Sequence, residues 1–210
     1  HEFGHALHGL LSQCTYNKVS GTSVPRDFVE LPSQIMENWA ADPEVLKVYA
    51  RHYKTGEPIP QELIDKLKNS GHFNQGFVTT EFMAAALLDM AYHTRNTTDP
   101  VNPNEFEKAT LEKIGLIPEI TVRYRSPYFQ HIFAGGYSSG YYAYTWAEVL
   151  DADAFEAFKE TGNIFNPEKA KSFRENILAK GGSEDAMTLY KRFRGQEPSI
   201  EPLLKRKGLK

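Results

Sequence analysis

The chain has a single cysteine, no long hydrophobic run and no surplus of positive charge, and each shortage closes a class of function. One thiol, Cys14, cannot make an internal disulfide, which suits a reducing compartment such as the cytoplasm. Its ordinary role is that of a small buried hydrophobe rather than a nucleophile. The longest apolar stretch, around Phe82 to Met90, is too short to span a bilayer and runs into Asp89. A net charge of −3 offers no electrostatic footprint for nucleic acid or an anionic membrane. What is left still suffices for one sizeable core, with 210 residues, 40% of them hydrophobic and 24% charged.

What is present begins at the first residue. His1-Glu2-Phe3-Gly4-His5 spells H-E-x-x-H. On a helix, positions i and i+4 share a face, so His1 and His5 can offer two imidazole nitrogens to one zinc ion with Glu2 beside them as general base. The competing expectation for the pentapeptide is a surface helix with two solvated histidines. A catalytic zinc needs three protein ligands and an open position. After a polar stretch with Gly21 and Pro25 as breakers, residues 26–39 read as a second helix, apolar at 28, 31, 35 and 39. It carries Glu30 and Glu37 two turns apart on one face. A helix–loop–helix return can lay Glu30 against the two histidines as third ligand, with Glu37 accepting a hydrogen bond from a ligand imidazole. A solvated helix face is the ordinary alternative for either glutamate. The longer zinc motif with a third histidine is absent: it needs Gly eighth and His eleventh, where this chain has His8 and Leu11. His8 is expected to pack beneath the site.

A second concentration of chemistry lies downstream. Six of the 11 tyrosines fall between residues 124 and 144. Tyr137, Tyr141 and Tyr144 follow i, i+4, i+7 and predict one helix face, while Gly135 and Gly136 before them let backbone approach a ligand closely. Phenol and imidazole donors fixed near a peptide carbonyl lower the barrier to oxyanion formation. A core aromatic stripe has the same spacing, and both possibilities stand on these residues alone.

The coarse pattern is nearly all helix, with at most short strands: the expected class is a mainly α, multi-helix zincin-type catalytic region. Helices are predicted from Asp42-Pro43 to about Tyr53, Gln61 to Asn69, Thr79 to Thr94 (buried), Pro103 to Ile114, and from the Tyr-rich segment toward Thr161. Asn166-Pro167 opens another that ends at Gly181-Gly182, and 183–194 and 198–207 follow. Tyr16 to Val19 is strand-like, a candidate edge for a peptide. No repeat or domain boundary shows.

Three segments, HEFGHALHGLL, SGTSVPRDFVELPSQIMENW and HIFAGGYSSGYYAYTWAEV, in this order, resemble the thimet-oligopeptidase family of zinc metallopeptidases, most of all its bacterial peptidyl-dipeptidase (dipeptidyl carboxypeptidase) branch. The resemblance runs over essentially all 210 residues. It implies one Zn2+ on His1, His5 and Glu30, Glu2 as catalytic base, and substrate or transition-state contacts from His131, Tyr137, Tyr141 and Tyr144, with Gly135 and Gly136 in the substrate segment. Short peptides are the implied substrates, cut to release C-terminal dipeptides. The spacing His131-Ile-Phe-Ala-Gly-Gly-Tyr137 and the SGTSVPRDFVE wording favour that branch over an endo-acting oligopeptidase. A non-catalytic fragment that binds zinc or peptide is the other alternative. Dipeptide release needs a fixed cation or clustered donors for the substrate's free carboxylate; Arg26, Arg123 and Arg125 are the candidate cations, with an exposed loop arginine the ordinary alternative for each. Opening directly on a zinc ligand, the chain is expected to be the C-terminal part of a catalytic domain whose N-terminal portion lies elsewhere in its parent.

Overall fold

The computed structural model describes all 210 residues as helices joined by loops, with an isolated antiparallel bridge between Arg51 and Pro58 and no strand. In chain order the helices are α1 (Glu2–Leu10), α2 (Arg26–Val29), α3 (Leu31–Ala40), α4 (Pro43–Tyr49), α5 (Gln61–Ser70), α6 (Gln75–His93) and α7 (Pro103–Lys113). Then come α8 (Gln130–Phe133), α9 (Ala143–Lys159), α10 (Pro167–Phe173), α11 (Ala186–Arg194) and α12 (Glu201–Arg206). Single 3₁₀ turns occupy Asn17–Val19 and Ser126–Tyr128, and Arg174–Leu178 winds as a π-helix directly after α10. The helical class expected from the sequence is the one observed.

Side-chain caps set several starts. Asp42 accepts from the Glu44 N–H, Asn102 from Asn104 and Glu105, Asn166 from Lys169 and Asp185 from Thr188. Three of these helices have proline in the first turn, where its missing N–H is not needed. Gly195 closes α11 at φ +88°, a conformation that glycine adopts without strain.

Some boundaries differ from the sequence expectation. The predicted 26–39 helix is broken at Glu30 into α2 and α3. Pro32 lacks the N–H that a continuous helix would direct to the Phe28 carbonyl, so the ladder stops and restarts. The first helix after Asp42 ends at Tyr49 rather than Tyr53. Tyr16 to Val19 forms a 3₁₀ turn, not a strand. α6 is buried along one side only, through Ala84, Ala85, Leu88 and Asp89, while Met83, Leu87 and Met90 are exposed.

Two compact units emerge, residues 1–73 with 145–210, and residues 74–144. The first has a core built by Phe28, Leu31, Ile35, Leu150, Phe158, Phe173, Ile177, Leu189 and Phe193. Trp39 packs edge-on against Phe155 and Phe158, with ring centroids 4.8 and 5.0 Å away, and donates from Nε1 to the Ile164 carbonyl at 3.0 Å. The second unit centres on α6, where small residues Ala85 and Ala86 admit Phe129, Ile132 and Tyr141, and Ala84 and Leu88 meet Val122.

Candidate metal centre and candidate donor cluster

In the first unit, α1 and α3 approach unusually closely, and the reason is Gly4. A Cβ there would stand 2.4 Å from the Pro32 carbonyl oxygen and 2.6 Å from Ser33 Cα. Any other residue would have to push the helices apart. Gly4 thus lets the histidine face of α1 rest on the α2–α3 junction, where Glu30 sits. The junction turns the Glu30 side chain inward, 2% exposed. Its Oε2 lies 3.2 Å from His5 Nε2 and 3.4 Å from His1 Nε2. Ser33 Oγ donates to the same oxygen at 2.8 Å, which fixes the carboxylate. On its other side His1 bonds through Nδ1 to Glu37 Oε1 at 2.7 Å.

The ligand atoms of His1, His5 and Glu30 all lie within 4.8 Å of one another. Histidine nitrogen and carboxylate oxygen bind zinc at about 2.0–2.2 Å, which sets tetrahedral ligands roughly 3.3–3.5 Å apart. The two nitrogen–oxygen separations, 3.2 and 3.4 Å, are close to that spacing, and the donor chemistry is of the zinc type. Glu37 stands where a carboxylate orients a ligand imidazole. The chain's own residues therefore fit a zinc ion. Glu2 lies in the first turn of α1 with its side chain exposed.

His8 is fully buried, and neither ring nitrogen has a hydrogen-bond partner in the chain. Burial, helped by the charge of His5, pushes its pKa down to about 4, so the ring is neutral near pH 7. It packs beneath the face, as the sequence suggested. Behind α1, the Gly182 N–H donates to the Val19 carbonyl at 2.8 Å and the Gln13 N–H to the Ala179 carbonyl at 2.9 Å. A Cβ at Gly181 or Gly182 would meet the Val19 or Ser23 carbonyl oxygen at 2.3 or 2.4 Å. These contacts hold the loop that leads into Glu30. Cys14, half-buried, points its thiol at the Lys180 and Val19 carbonyls, 3.1 and 3.3 Å away.

In the second unit, the tyrosines do cluster, but not on one helix face. α9 begins only at Ala143, and residues 135–142 form a succession of turns. Gly136 and Ser139 take positive φ, +81° and +56°, which bends the segment back on itself. Tyr137 stacks on Tyr144 with centroids 5.1 Å apart, and Tyr141 meets Tyr144 edge-on at 5.4 Å. His131, on α8, lies 6.1 Å from the Tyr137 ring and 5.8 Å from Tyr141. Tyr137, Tyr144 and His131 are half-buried, whereas Tyr141 is 2% exposed and its burial pushes the phenol far above its ordinary range. Gly135 lies so close to α8 that a Cβ would meet His131 Cα at 2.8 Å. Of the arginines, Arg125 is ion-paired to the buried Glu107, and Arg123 lies 5.8 Å from the Tyr124 ring centroid.

Gly4, Ser33 and Asp89 escaped the sequence reading. Gly4 carried a signal, since glycine inside a helix costs about 1 kcal/mol relative to alanine and calls for a packing reason. So did Asp89, a carboxylate in an apolar run. Ser33 carried none.

No helix is long and apolar enough to cross a membrane. The model of peptidase family M3 matches residues 1–209. Over the whole chain, 46% of residues are identical to the dipeptidyl carboxypeptidase of Escherichia coli and 45% to oligopeptidase A of the same organism. Saccharolysin of Saccharomyces cerevisiae is 36% identical, again along the full chain. The chain spans 31% of the length of the two bacterial relatives and 30% of the yeast one. With a match from end to end, and with His1, His5, Glu30 and Glu37 gathered in one place, this chain belongs to peptidase family M3.

Proposed function

We propose that the chain carries the catalytic centre of a zinc metallopeptidase that hydrolyses short peptides, releasing C-terminal dipeptides, and that it works as the C-terminal part of a longer catalytic domain in the cytoplasm. The observation that supports this most is the convergence of His1 Nε2 and His5 Nε2 on the buried Glu30 Oε2. The share of its relatives that the chain spans supports the longer domain. A zinc ion bound there supplies Lewis acidity and lowers the pKa of water. Glu2 takes the proton of the attacking water and passes it to the leaving amine. Tyr137, Tyr144 and His131 donate to the carbonyl oxygen as negative charge develops on it. Gly135, Gly136 and Tyr141 shape the substrate segment, Tyr141 as the buried ring on which Tyr144 rests edge-on. Glu37 and Ser33 hold the ligands in orientation.

Two substitutions test the assignment. Glu30→Gln is expected to abolish stoichiometric zinc retention, measured by metal analysis after dialysis, because a neutral amide replaces the one anionic ligand. Glu2→Gln is expected to retain zinc and lose turnover in the full-length enzyme. Zinc retained by Glu30→Gln at wild-type affinity would remove Glu30 from the ligand set.

Internal cleavage is the second reading, favoured by the near-equal identity to oligopeptidase A, 45% against 46%. Release of a dipeptide requires recognition of a free carboxylate, so amidating the peptide's C-terminus is expected to reduce cleavage sharply. Undiminished internal cuts in the amidated peptide assign the endo-acting specificity instead.

A further inference from the structure

The Tyr-rich loop is held by a single buried carboxylate from outside it. Asp89, one turn before the end of α6, is fully buried. Its Oδ1 accepts the Ser139 N–H at 3.0 Å and its Oδ2 accepts the Tyr141 N–H at 2.9 Å. One helical turn on, His93 Nδ1 lies 2.7 Å from the same Oδ1 and 3.0 Å from the Asp89 carbonyl oxygen. A buried carboxylate is costly unless several donors meet it, and here two backbone donors and one imidazole do. Between those two amides the backbone reverses, with Ser139 at φ +56°. A non-glycine residue in that region persists only where its surroundings over-determine it. Tyr137 N–H to the His131 carbonyl at 2.9 Å and Ser138 Oγ to the Ile132 carbonyl tie the near end of the segment to α8. Gly140 N–H to the Tyr137 carbonyl at 2.8 Å and Ala143 N–H to the Gly140 carbonyl at 3.0 Å are bonds within it, and Asp89 clamps the stretch between.

We propose that Asp89 is a positioning residue for peptide hydrolysis, and that Asp89 with His93 fixes the turn that sets the directions of Tyr137 and Tyr144. The proposal rests on the reading of those tyrosines as donors. Asp89 reaches the chemistry only through the loop. Loss of the clamp frees the Ser139 and Tyr141 amides, and the hydroxyls lose their fixed place while the metal site, in the other unit, is untouched.

The test combines amide exchange on the 210-residue chain with kinetics on the full-length enzyme. Asp89→Asn is expected to accelerate exchange at Ser139 and Tyr141 at least tenfold, to leave zinc content unchanged, and to lower kcat on the order of 10²-fold with KM little altered. In the double variant with Tyr137→Phe the two losses are expected not to multiply, because a hydroxyl already removed cannot be mispositioned. His93→Ala keeps the carboxylate, so it covers the case in which Asp89→Asn fails to fold. It is expected to speed exchange at Ser139, which shares Oδ1 with the imidazole, more than at Tyr141. Unchanged exchange at both amides overturns the clamp. Faster exchange with fully multiplicative kinetic losses overturns the positioning role. The donor reading fails separately, if Tyr137→Phe and Tyr144→Phe leave kcat unchanged while the amides still respond to Asp89→Asn.

Discussion

The two clusters reach the same end, several polar groups aimed together, by opposite means. The His/Glu cluster of the first unit is built from helices: i, i+4 spacing aims two imidazoles, and a helix junction offers the carboxylate. The Tyr/His cluster of the second unit is built from turns with two positive-φ residues and a carboxylate some 50 residues upstream in sequence holding two amides. A helical site is specified locally and needs one close approach to complete it. A turn-built site depends on long-range hydrogen bonds, and no periodicity announces it. Mutations should therefore act differently on the two clusters.

The largest expected effect is on the turn-built side. Tyr144→Phe or Tyr137→Phe deletes one hydroxyl and keeps the stacked ring. If that hydroxyl stabilises the oxyanion, kcat falls about 10²–10³-fold with KM nearly unchanged. Steady-state kinetics of the full-length enzyme decide this. Lowered thermal stability with kcat intact would instead make both rings plain packing and leave the comparison with one functional cluster.

Next in size is the close approach on the helical side. Gly4→Ala forces a Cβ into the Pro32 carbonyl and Ser33 Cα. Backbone cannot yield there as a flexible side chain would, so α1 must shift away from Glu30. Zinc affinity is expected to drop about 10–100-fold, the range found when groups that orient ligands are disturbed. Folding stability should fall by about 1–3 kcal/mol, as in other overpacked sites. Competition with a chelator reads the first and denaturant midpoints the second. An unaltered metal affinity would show that the histidine face does not depend on helix proximity.

The smallest effect is a pH dependence. His8 titrates near 4 in the folded chain against 6.5 when free. Between those values the unfolded chain binds a proton that the folded chain refuses. The stability associated with keeping His8 neutral is therefore complete above pH 6.5 and lost as pH falls toward 4, by no more than about tenfold in the folding constant per pH unit. His8→Leu should flatten that part of the profile in metal-free protein, compared by denaturant midpoints at pH 7 and pH 5. Parallel profiles for the two proteins would mean that the ring is hydrated or paired when folded.

Legibility follows the same division. The helical class came from apolar periodicity and from capping pairs such as Asp42-Pro43 and Asn166-Pro167, whose signals are local. The place of Glu30 and Glu37 beside the histidines was one that helix spacing and a return loop allowed, and the family resemblance selected it over a solvated helix face for Glu30. The break at Glu30 was missed, although Pro32 marks it, since apolar spacing runs straight through the interruption. The helix face for Tyr137, Tyr141 and Tyr144 was a wrong inference from correct spacing. At residues 135–142, glycine and serine in left-handed backbone override a periodicity of 3.6. Asp89 could be flagged as out of place, yet nothing in its neighbourhood names Ser139 and Tyr141 as its partners. Residues close in space and far in sequence leave that kind of information to the fold.

The π-helical stretch Arg174–Leu178 has a bearing on insertions and deletions. A π turn is an α-helix with one surplus residue wound in, and here the Ala179 N–H reaches back to the Arg174 carbonyl, five positions earlier, at 2.8 Å. Removing that surplus residue would restore ordinary winding, since the Ala179 N–H would then meet the same carbonyl from four positions on, and the segment beyond would keep nearly its present direction. The Ala179 carbonyl and the Gly182 amide, which grip Gln13 and Val19, would stay close to their places. The helix thus has one residue to spare across 174–178, and a variant shortened by one there should keep its grip on the loop before Glu30.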